Sequence, residues 1–406
     1  MGKRRDAGGA PALPGKRNAM TIQSLTIQGY RTLKDVTWTP GRLNVLIGPN
    51  GSGKSNLLKA LRLLKSCAEG RMQATLIDEG GGKAVSWDES GERICFSMNY
   101  SSPEDVPFGI PDNYHFFYKI GFFGHAQPGI FNEHLDVIVN NKQIFVINRK
   151  LLSYGEVLLH DGATLRINTT QHTESLLSQN GPGSSSYQDS AAAGFNWHLY
   201  FAFDTRQGAE VRKPAVSRLE KTVDDDGANL TPVLHTLYNT DRDFKRALNA
   251  AMSAAFGPDY DELVFPPAAD QMVQLRIRWH SLRTEQSMAN LSDGTIRFLA
   301  LATILLNPDP PPLIAIDEPE LGLHPRMFSI LADLAAEASK KTQVVFATHS
   351  PQFLDAVGRH HPTTTVTGWE DGATTLSVLD PEELATWLQT YTLGELFTSG
   401  DLEAMK

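Results

Sequence analysis

A glycine-rich segment between residues 48 and 55 carries the residue types that hold a nucleoside triphosphate. It reads GPNGSGKS and fits the pattern G-x-x-x-x-G-K-[ST], in which glycines let backbone N–H groups turn inward around a phosphate. Lys54 would supply a positive charge between the β- and γ-phosphates, and the hydroxyl of Ser55 would ligate Mg²⁺. The sequence therefore predicts a site for ATP and Mg²⁺ with the nucleotide-binding residues Gly48, Pro49, Asn50, Gly51, Ser52, Gly53, Lys54, Ser55 and Asn56.

Two acidic residues directly follow an apolar run in the last third of the chain. The run Leu313–Ile316 is typical of a strand buried on both faces, and Asp317 and Glu318 come next. Such a strand would bring Asp317 beside the phosphate loop to hold Mg²⁺, and Glu318 could orient or deprotonate an attacking water. Alone, the pattern also fits a buried strand that ends in a solvated acidic turn. The phosphate loop favours the catalytic interpretation.

A third polar cluster ends a second apolar run, Val344–Ala347. Thr348, His349 and Ser350 follow that run. His349 would then lie level with Glu318, where it could hydrogen-bond the γ-phosphate and report its loss. A histidine after a strand is more often structural, but its place in the chain after the acidic pair favours a role at the nucleotide. We therefore predict Lys54, Glu318 and His349 as catalytic residues.

The segment LSDGT, residues 291–295, precedes a strongly apolar helical run, Ile296–Leu306. Ser292 and Gly294 would lie at the N-terminus of that helix, where backbone N–H groups favour an anion. As an isolated pattern the segment predicts only an N-cap. Its occurrence together with the phosphate loop and the acidic pair suggests a role beyond capping of the helix.

Strand and helix patterns around these segments indicate an α/β fold. Strand-like runs at Ile22–Ile27 and Leu43–Ile47 precede a helix predicted at Leu57–Leu64, and the last third alternates strand and helix. A Gly/Ser/Ala-rich stretch, 181–194, is predicted to be a mobile connection. The expected domains are a disordered basic tail at 1–19, an ATPase head at 20–360 with a β-rich insertion at 84–170 and a helical lobe at 195–260, and a C-terminal extension at 361–406.

Composition and charge limit the class of protein. The chain has 406 residues and a formal net charge of −9 at pH 7, so its surface as a whole does not favour non-specific DNA binding, although a local basic groove stays open. Two cysteines, Cys67 and Cys95, are too few for a disulfide framework and wrongly spaced for a zinc site. No apolar run approaches the roughly 20 residues that span a bilayer. We therefore expect a cytoplasmic protein without a membrane partner.

The four elements GPNGSGKS, LSDGT, IDEPE and THS together resemble the ABC-type ATPases, specifically the RecF/SMC-like and OLD-like heads. The stretches IQGYR, DGANL and ELGLHP support the resemblance, which is nearest to stand-alone bacterial ATPases described as AAA-domain, RecF-like. It implies a P-loop NTPase of ABC-ATPase type with a mixed central sheet, a β-rich insertion and a helical lobe that carries the signature LSDGT.

The resemblance also implies roles for single residues. Ser292 and Gly294 would complete the ATP site of a second copy, so that two ATPs are held in a homodimer. Arg31 would lie near the α-phosphate or the base. A glutamine would link Mg²⁺ to the lateral lobe, with Gln179 as first choice and Gln171 as second, and a solvent-facing role is an equal alternative for either.

Three functions remain open from the sequence. The leading one is an ATP-driven clamp in DNA repair or recombination, or in defence against phage. A nucleotide-binding subunit of a membrane transporter is disfavoured, because more than half of the chain separates Lys54 from Ser292. The third is the ATPase subunit of a two-component system whose nuclease or effector is a separate protein. The aromatic segment Trp387–Leu396 is expected to pack on its own head, with docking of a partner as the alternative.

Overall fold

The computed structural model describes residues 20–101, 114–125, 129–150, 154–167, 173–179 and 184–405. The proposed tail, 1–19, lies outside these residues. The strands are β1 (Thr21–Tyr30), β2 (Leu33–Trp38), β3 (Leu43–Ile47), β4 (Arg93–Ser101), β5 (Tyr114–Phe123), β6 (Ile130–Val139), β7 (Lys142–Lys150), β8 (Tyr154–Leu158), β9 (Thr164–Ile167), β10 (His198–Tyr200), β11 (Ala215–Val216), β12 (Tyr260–Val264), β13 (Met272–Val273), β14 (Arg276–Trp279), β15 (Gln286–Ser287), β16 (Leu313–Asp317), β17 (Gln343–Ala347), β18 (Thr363–Glu370) and β19 (Ala373–Val378). The helices are α1 (Lys54–Ala68), α2 (Met72–Asp78), α3 (Gly82–Val85), α4 (Ser186–Ala193), α5 (Leu230–Thr240), α6 (Arg242–Phe256), α7 (Asp293–Leu305), α8 (Arg326–Ala338), α9 (Pro351–Gly358), α10 (Pro381–Trp387), α11 (Leu393–Ser399) and α12 (Asp401–Ala404).

A six-stranded sheet forms the centre of the molecule, with strand order β10-β16-β17-β3-β18-β19. Neighbouring strands run parallel from β10 to β18, and only β19 is antiparallel to its neighbour. Every residue of β3 and β17 is buried, which explains their largely apolar sequences. Because β3, β16 and β17 are parallel, the segments that follow them meet at one edge of the sheet.

A second sheet of eight antiparallel strands, ordered β2-β1-β4-β5-β6-β7-β8-β9, covers one face of this centre. Helix α1 lies between the two sheets, where Leu57 and Leu61 share one apolar core with Phe96 of the second sheet and Leu46 of the central sheet. The β-rich region proposed for 84–170 therefore does not stand apart. Its strands continue the hairpin formed by β1 and β2 at the beginning of the described chain.

Helices cover the other face of the central sheet. Residues of α5, α6, α7, α8 and α9 form a second apolar core with the opposite faces of β3, β16 and β17. This arrangement confirms the predicted fold class, a mixed α/β head with a β-rich flank and a helical side that carries LSDGT. The range proposed for the helical lobe, 195–260, also contains β10, which belongs to the central sheet.

Two expectations about the organisation of the chain differ in part from the structure. Within the stretch 181–194, residues 184–194 are not simply a mobile connection, because they contain α4, which is capped by the Ser185 hydroxyl and buries Ala191. The segment 361–406, proposed as a C-terminal extension, contributes a strand to the central sheet, because β18 pairs directly with β3, the strand that leads into the phosphate loop. Local patterns could not show this pairing, which joins two distant parts of the chain.

The C-terminal helices pack on the same molecule. The backbone N–H of Gly394 in α11 donates to the Asp355 carboxylate of α9 at 2.8 Å, and Leu393 and Leu396 are buried. The expectation that Trp387–Leu396 packs on its own head is therefore confirmed for this part of α11. Among the described residues, no helix has the length and apolar character needed to cross a membrane.

Candidate functional site

The phosphate loop connects the buried strand β3 to α1 and depends on glycine at two positions. Gly53 has a φ of +108°, and a Cβ there would lie 2.2 Å from Oγ1 of Thr374. Gly48 has a φ of +147°, and its Cβ would lie 2.3 Å from the carbonyl oxygen of Thr367. Both threonines belong to the β18–β19 hairpin, which therefore supports the outer side of the loop. No side chain caps α1, so its first N–H groups stay available to an anion.

The Lys54 ammonium folds back onto this loop. Its Nζ donates to the carbonyl oxygens of Gly48 at 2.6 Å and Pro49 at 3.0 Å. Burial lowers the pKa of Lys54, and the nearby carboxylates of Asp317, Glu318 and Glu320 oppose that shift. A bound polyphosphate would supply further negative oxygens to the same ammonium.

The Ser55 hydroxyl and the Asp317 carboxylate meet at the edge of the sheet. Ser55 Oγ donates to Asp317 Oδ2 at 2.9 Å. Burial raises the pKa of Asp317, while the hydrogen bond from Ser55 and the positive charge of Lys54 lower it. The sequence predicts Mg²⁺ ligands at both residues, and the structure brings the two side chains into contact. Asn56, one residue further, donates from Nδ2 to Thr32 Oγ1 at 2.8 Å.

These oxygens are of the kind that Mg²⁺ prefers. A hydroxyl and a carboxylate together fit a hard cation that takes its remaining ligands from phosphate and water. Elsewhere in the described part of the chain, no group of three or more His, Cys, Asp and Glu side chains is placed to hold a metal. The donor set at Ser55 and Asp317 therefore fits Mg²⁺ bound together with a nucleotide.

Glu318 and His349 face each other at the same edge. His349 Nδ1 lies 3.3 Å from Glu318 Oε1, and the two side chains are 47% and 43% exposed, so a water or a phosphate could reach them. Glu318 has a φ of +50°, in the left-handed region that is uncommon for this residue type. Its N–H donates to the carbonyl oxygen of Ala347 at 2.8 Å. Strained backbone of this kind is frequent at catalytic sites because it holds a side chain in one direction.

Sequence reasoning missed a third acidic side chain beside this pair, Glu320. Thr348 Oγ1 donates to Glu320 Oε1 at 2.6 Å, while Oε2 is buried without a hydrogen-bond partner among the described residues. Burial raises the pKa of Glu320. The stretch IDEPE contains this glutamate, but nothing in the local sequence pattern indicated that Thr348 would donate a hydrogen bond to it.

Arg31 lies at the end of a cleft of about 460 Å³ that adjoins the first turn of α1. Its Nη2 donates to Glu79 Oε2 at 2.9 Å, and the Tyr30 hydroxyl donates to the same oxygen at 2.9 Å. The Glu79 side chain is only 8% exposed. The cleft is lined by Arg31, Thr32, Asn56, Ser86, Asp88 and Glu89, among others. Asn56 lines this cleft and directly follows the phosphate loop in the chain, so the cleft adjoins the loop.

Ser292 and Gly294 begin α7, as the sequence predicts. Ser292 is the N-cap, and its Oγ accepts from the N–H of Thr295 at 3.1 Å. Gly294 packs so closely that a Cβ would lie 2.6 Å from the carbonyl oxygen of Gly322. Among the described residues, these contacts stay within α7 and the turn after the acids and do not reach the phosphate loop of the same chain. Ser292 is exposed and open to a second molecule.

The structure does not bring Gln179 to this edge. Its neighbour Ser178 contacts Gly70, just beyond the C-terminal end of α1. That helix has 15 residues and is about 22 Å long at 1.5 Å per residue, so Gln179 lies at the end opposite to Ser55. Gln171 lies outside the described residues. The segment that does reach the acids follows β10, because Tyr200 pairs with Ile316 and residues 201–203 line a small cavity with Asp317 and Glu318.

Known proteins share both the sequence motifs and the fold. The model of the family described as "AAA domain, putative AbiEii toxin, Type IV TA system" matches residues 43–109 and 158–355, more than half of the chain. "Chromosome segregation protein sudA" of Emericella nidulans is 36% identical over 101 residues, which are 23% of this chain and 8% of that protein. "DNA replication and repair protein RecF" of Stutzerimonas stutzeri is 48% identical over 46 residues, 11% of this chain and 12% of that protein. The RecF of Moorella thermoacetica is 33% identical over 95 residues, 20% of this chain and 24% of that protein.

Solved SMC heads have the same architecture. An SmcHead bound to the C-winged helix domain of ScpA aligns with a TM-score of 0.55 and 15% identity, covering 89% of this chain and 99% of that one. The Smc head of Pyrococcus furiosus, solved with an extended coiled coil and the C-terminal domain of ScpA, aligns with a TM-score of 0.56 and 13% identity, covering 91% and 99%. The curated relatives are matched over at most 24% of their length, whereas the head fold is matched almost entirely. The chain therefore belongs to the family described as "AAA domain, putative AbiEii toxin, Type IV TA system", and it is similar in sequence to RecF and in fold to SMC heads.

Proposed function

We propose that this chain binds Mg·ATP at the edge formed by β3, β16 and β17 and hydrolyses it to ADP and phosphate. The observation that carries the proposal is the meeting of Ser55 with Asp317 and of Glu318 with His349 at one edge, beside Lys54. A phosphate loop, an oxygen site for a divalent cation and an exposed acid–histidine pair are the parts that phosphoryl transfer to water requires.

The backbone N–H groups of Gly48, Asn50, Gly51, Ser52 and Gly53 would surround the β-phosphate, while Lys54 binds β- and γ-oxygens. Pro49, which has no N–H, would restrict the backbone of the loop. Ser55 and Asp317 would hold Mg²⁺, which when bound neutralises charge on those oxygens. Arg31 and Asn56 would contact the nucleoside side through the cleft they share.

Glu318 would accept a proton from the attacking water. The water oxygen forms a bond to the γ-phosphorus, the bond from that phosphorus to the bridging oxygen of ADP breaks, and the proton passes to the Glu318 carboxylate. His349, 3.3 Å from Glu318, would hold this carboxylate in position and hydrogen-bond the γ-phosphate. The left-handed backbone at Glu318 fixes the direction from which the base approaches.

We further propose that two copies close around two nucleotides. The support is the exposed N-cap Ser292 at the start of α7, which makes no contact with its own phosphate loop among the described residues. Gly294 packs closely against Gly322, and the N-terminus of this helix favours an anion such as a γ-phosphate. In light scattering, Glu318→Gln with ATP and Mg²⁺ should run as a dimer, and the same chain without nucleotide should run as a monomer. A monomer in both conditions would contradict closure through Ser292.

The process served by this cycle is proposed from the relatives. RecF is described as a DNA replication and repair protein and sudA as a chromosome segregation protein, which supports a role on DNA in repair or recombination. The family description names a toxin of a Type IV system, which supports defence with a separate effector protein. ATP turnover that rises with linear duplex DNA would favour the first role. Turnover that is indifferent to DNA would favour the second.

A further inference from the structure

Arg212 joins the edge of the central sheet to the start of α7. It ends a short turn, Glu210–Arg212, in the segment that follows β10. Its side chain is only 9% exposed, and four carbonyl oxygens and one carboxylate surround it. Nε donates to Thr205 O at 2.7 Å and Nη1 to Leu291 O at 2.7 Å, and Nη2 lies 2.5 Å from Asp293 Oδ1. Weaker contacts from Nη1 reach Met288 O at 3.1 Å and Ala289 O at 3.3 Å.

These contacts bridge two functional segments. Thr205 belongs to the stretch that begins at Tyr200, where β10 pairs with the strand that carries Asp317. Leu291 and Asp293 flank Ser292, the N-cap of α7. A guanidinium holds such a set of acceptors through a flat fork of donors in fixed directions. Arg212 therefore links the segment beside Asp317 to the residues that flank Ser292.

A second connection keeps α7 from moving independently of the acids. Gly294 packs on the carbonyl oxygen of Gly322, and Arg297 Nη1 donates to Leu321 O at 3.3 Å. Both Leu321 and Gly322 follow Glu318 closely in the chain. The start of α7 is thus attached on one side to the segment after β10 and on the other to the turn after β16.

We infer that Arg212 is a positioning residue that sets the direction of Ser292 and Gly294 toward the nucleotide of a second copy. The inference rests on the proposed ATPase function, because it concerns the partner half of the same site. Arg212 touches no part of its own phosphate loop among the described contacts. Its loss should leave ATP binding by each chain intact and impair hydrolysis in the closed pair.

The test combines Arg212→Ala with Arg206→Ala as the matched control. Arg206 lies in the same segment, is 86% exposed and, among the residues that the structure describes, pairs through its side chain only with Asp204. With Arg212→Ala we expect kcat to fall about tenfold or more while the affinity for a fluorescent ATP analogue stays within about twofold. Arg206→Ala should keep both values. Wild-type kcat in Arg212→Ala would overturn the inference.

Mixing experiments separate positioning across the dimer from a general loss of stability. An equimolar mixture of Lys54→Ala with Arg212→Ala should regain turnover, because mixed dimers contain one site with intact Lys54 and intact Arg212. A chain with both changes, mixed with an equal amount of the wild type, forms mixed dimers that lack any complete site, so it should lower the turnover per wild-type chain about twofold. Turnover of the first mixture no higher than that of its two components measured separately would contradict action across the dimer.

A second substitution covers the case in which Arg212→Ala does not fold. Arg212→Lys keeps the charge, but one ammonium cannot reach Thr205, Leu291 and Asp293 together, so kcat should fall about threefold or more with unchanged ATP affinity. Wild-type kcat in this variant would overturn the inference. Absence of turnover in the wild-type chain would instead refute the proposed ATPase function, which keeps the two failures distinct.

Discussion

The Ser55 hydroxyl donates to the Asp317 carboxylate at 2.9 Å, joining the first turn of α1 to the end of β16. Asp317→Asn keeps an acceptor for this hydroxyl but removes the negative charge that a divalent cation needs. We expect the affinity for ATP in the presence of Mg²⁺ to fall about tenfold or more, and the affinity in EDTA to change little. Titration with a fluorescent ATP analogue measures both.

The control for this change is Asp309→Asn, at an exposed acid away from the edge. It should leave both affinities unchanged. If Asp317→Asn weakened ATP binding equally with and without Mg²⁺, the carboxylate would act on the fold of the site and not on the cation.

The contact between His349 and Glu318 predicts that the two act as a unit. His349→Ala should lower kcat about tenfold or more, because the imidazole both orients the base and hydrogen-bonds the γ-phosphate. Adding His349→Ala to Glu318→Gln should cause little further loss. His360→Ala is the matched control, since His360 pairs with Asp333 on the surface of the helical side. Additive losses from the two changes would contradict a shared function.

The contact between Arg31 and Glu79 makes it possible to measure separately what Arg31 contributes to stability and what it contributes to ATP binding. Arg31→Ala leaves the nearly buried Glu79 carboxylate with only the Tyr30 hydroxyl, which should lower the free energy of unfolding by about 1–3 kcal/mol. Arg31→Ala combined with Glu79→Gln should recover most of that stability but not the affinity for ATP. Urea unfolding and nucleotide titration measure the two effects. Recovery of ATP affinity in the double variant would show that Arg31 serves only the fold.

Glu320 predicts an unusual dependence of stability on pH. Burial raises the pKa of this carboxyl above its ordinary value, so the ionised form costs free energy in the folded chain. The cost is present at pH values above the raised pKa and disappears as pH falls through it. Glu320→Gln, whose amide oxygen can still accept from Thr348, should therefore be more stable than the wild type at pH 8, and the difference should shrink toward pH 5. Urea midpoints without nucleotide test this, and a less stable variant at pH 8 would contradict it.

The parts of the site that follow directly from sequence are those encoded by a few adjacent residues. The sequence pattern already indicates that Gly48 and Gly53 must be glycines, because the loop has backbone angles and close contacts that a Cβ would prevent. Asp317 and Glu318 were found because a wholly apolar strand delivered them to one edge. Ser292 was found because an N-cap before an apolar helix is a local signal.

The parts that local pattern did not show depend on contacts between distant segments. The place of β18 beside β3 follows from pairing across the chain, and the same pairing sets Thr367 and Thr374 against the phosphate loop. Gln179 was the first choice for the glutamine that links Mg²⁺ to the lateral lobe, yet the length of α1 separates it from Ser55. Arg212 lies in an irregular segment, and the local sequence does not predict its hydrogen bonds to the carbonyl oxygens of Thr205 and Leu291.

Steady-state phosphate release by the purified wild-type chain and by Glu318→Gln, each with ATP and Mg²⁺, is the most direct test of the proposed activity. We expect turnover by the wild type and a fall of about a hundredfold or more in Glu318→Gln, with ATP binding retained in both. Equal release by the two chains would contradict the role of Glu318 as the base. Absence of release by the wild type would contradict ATP hydrolysis at this edge.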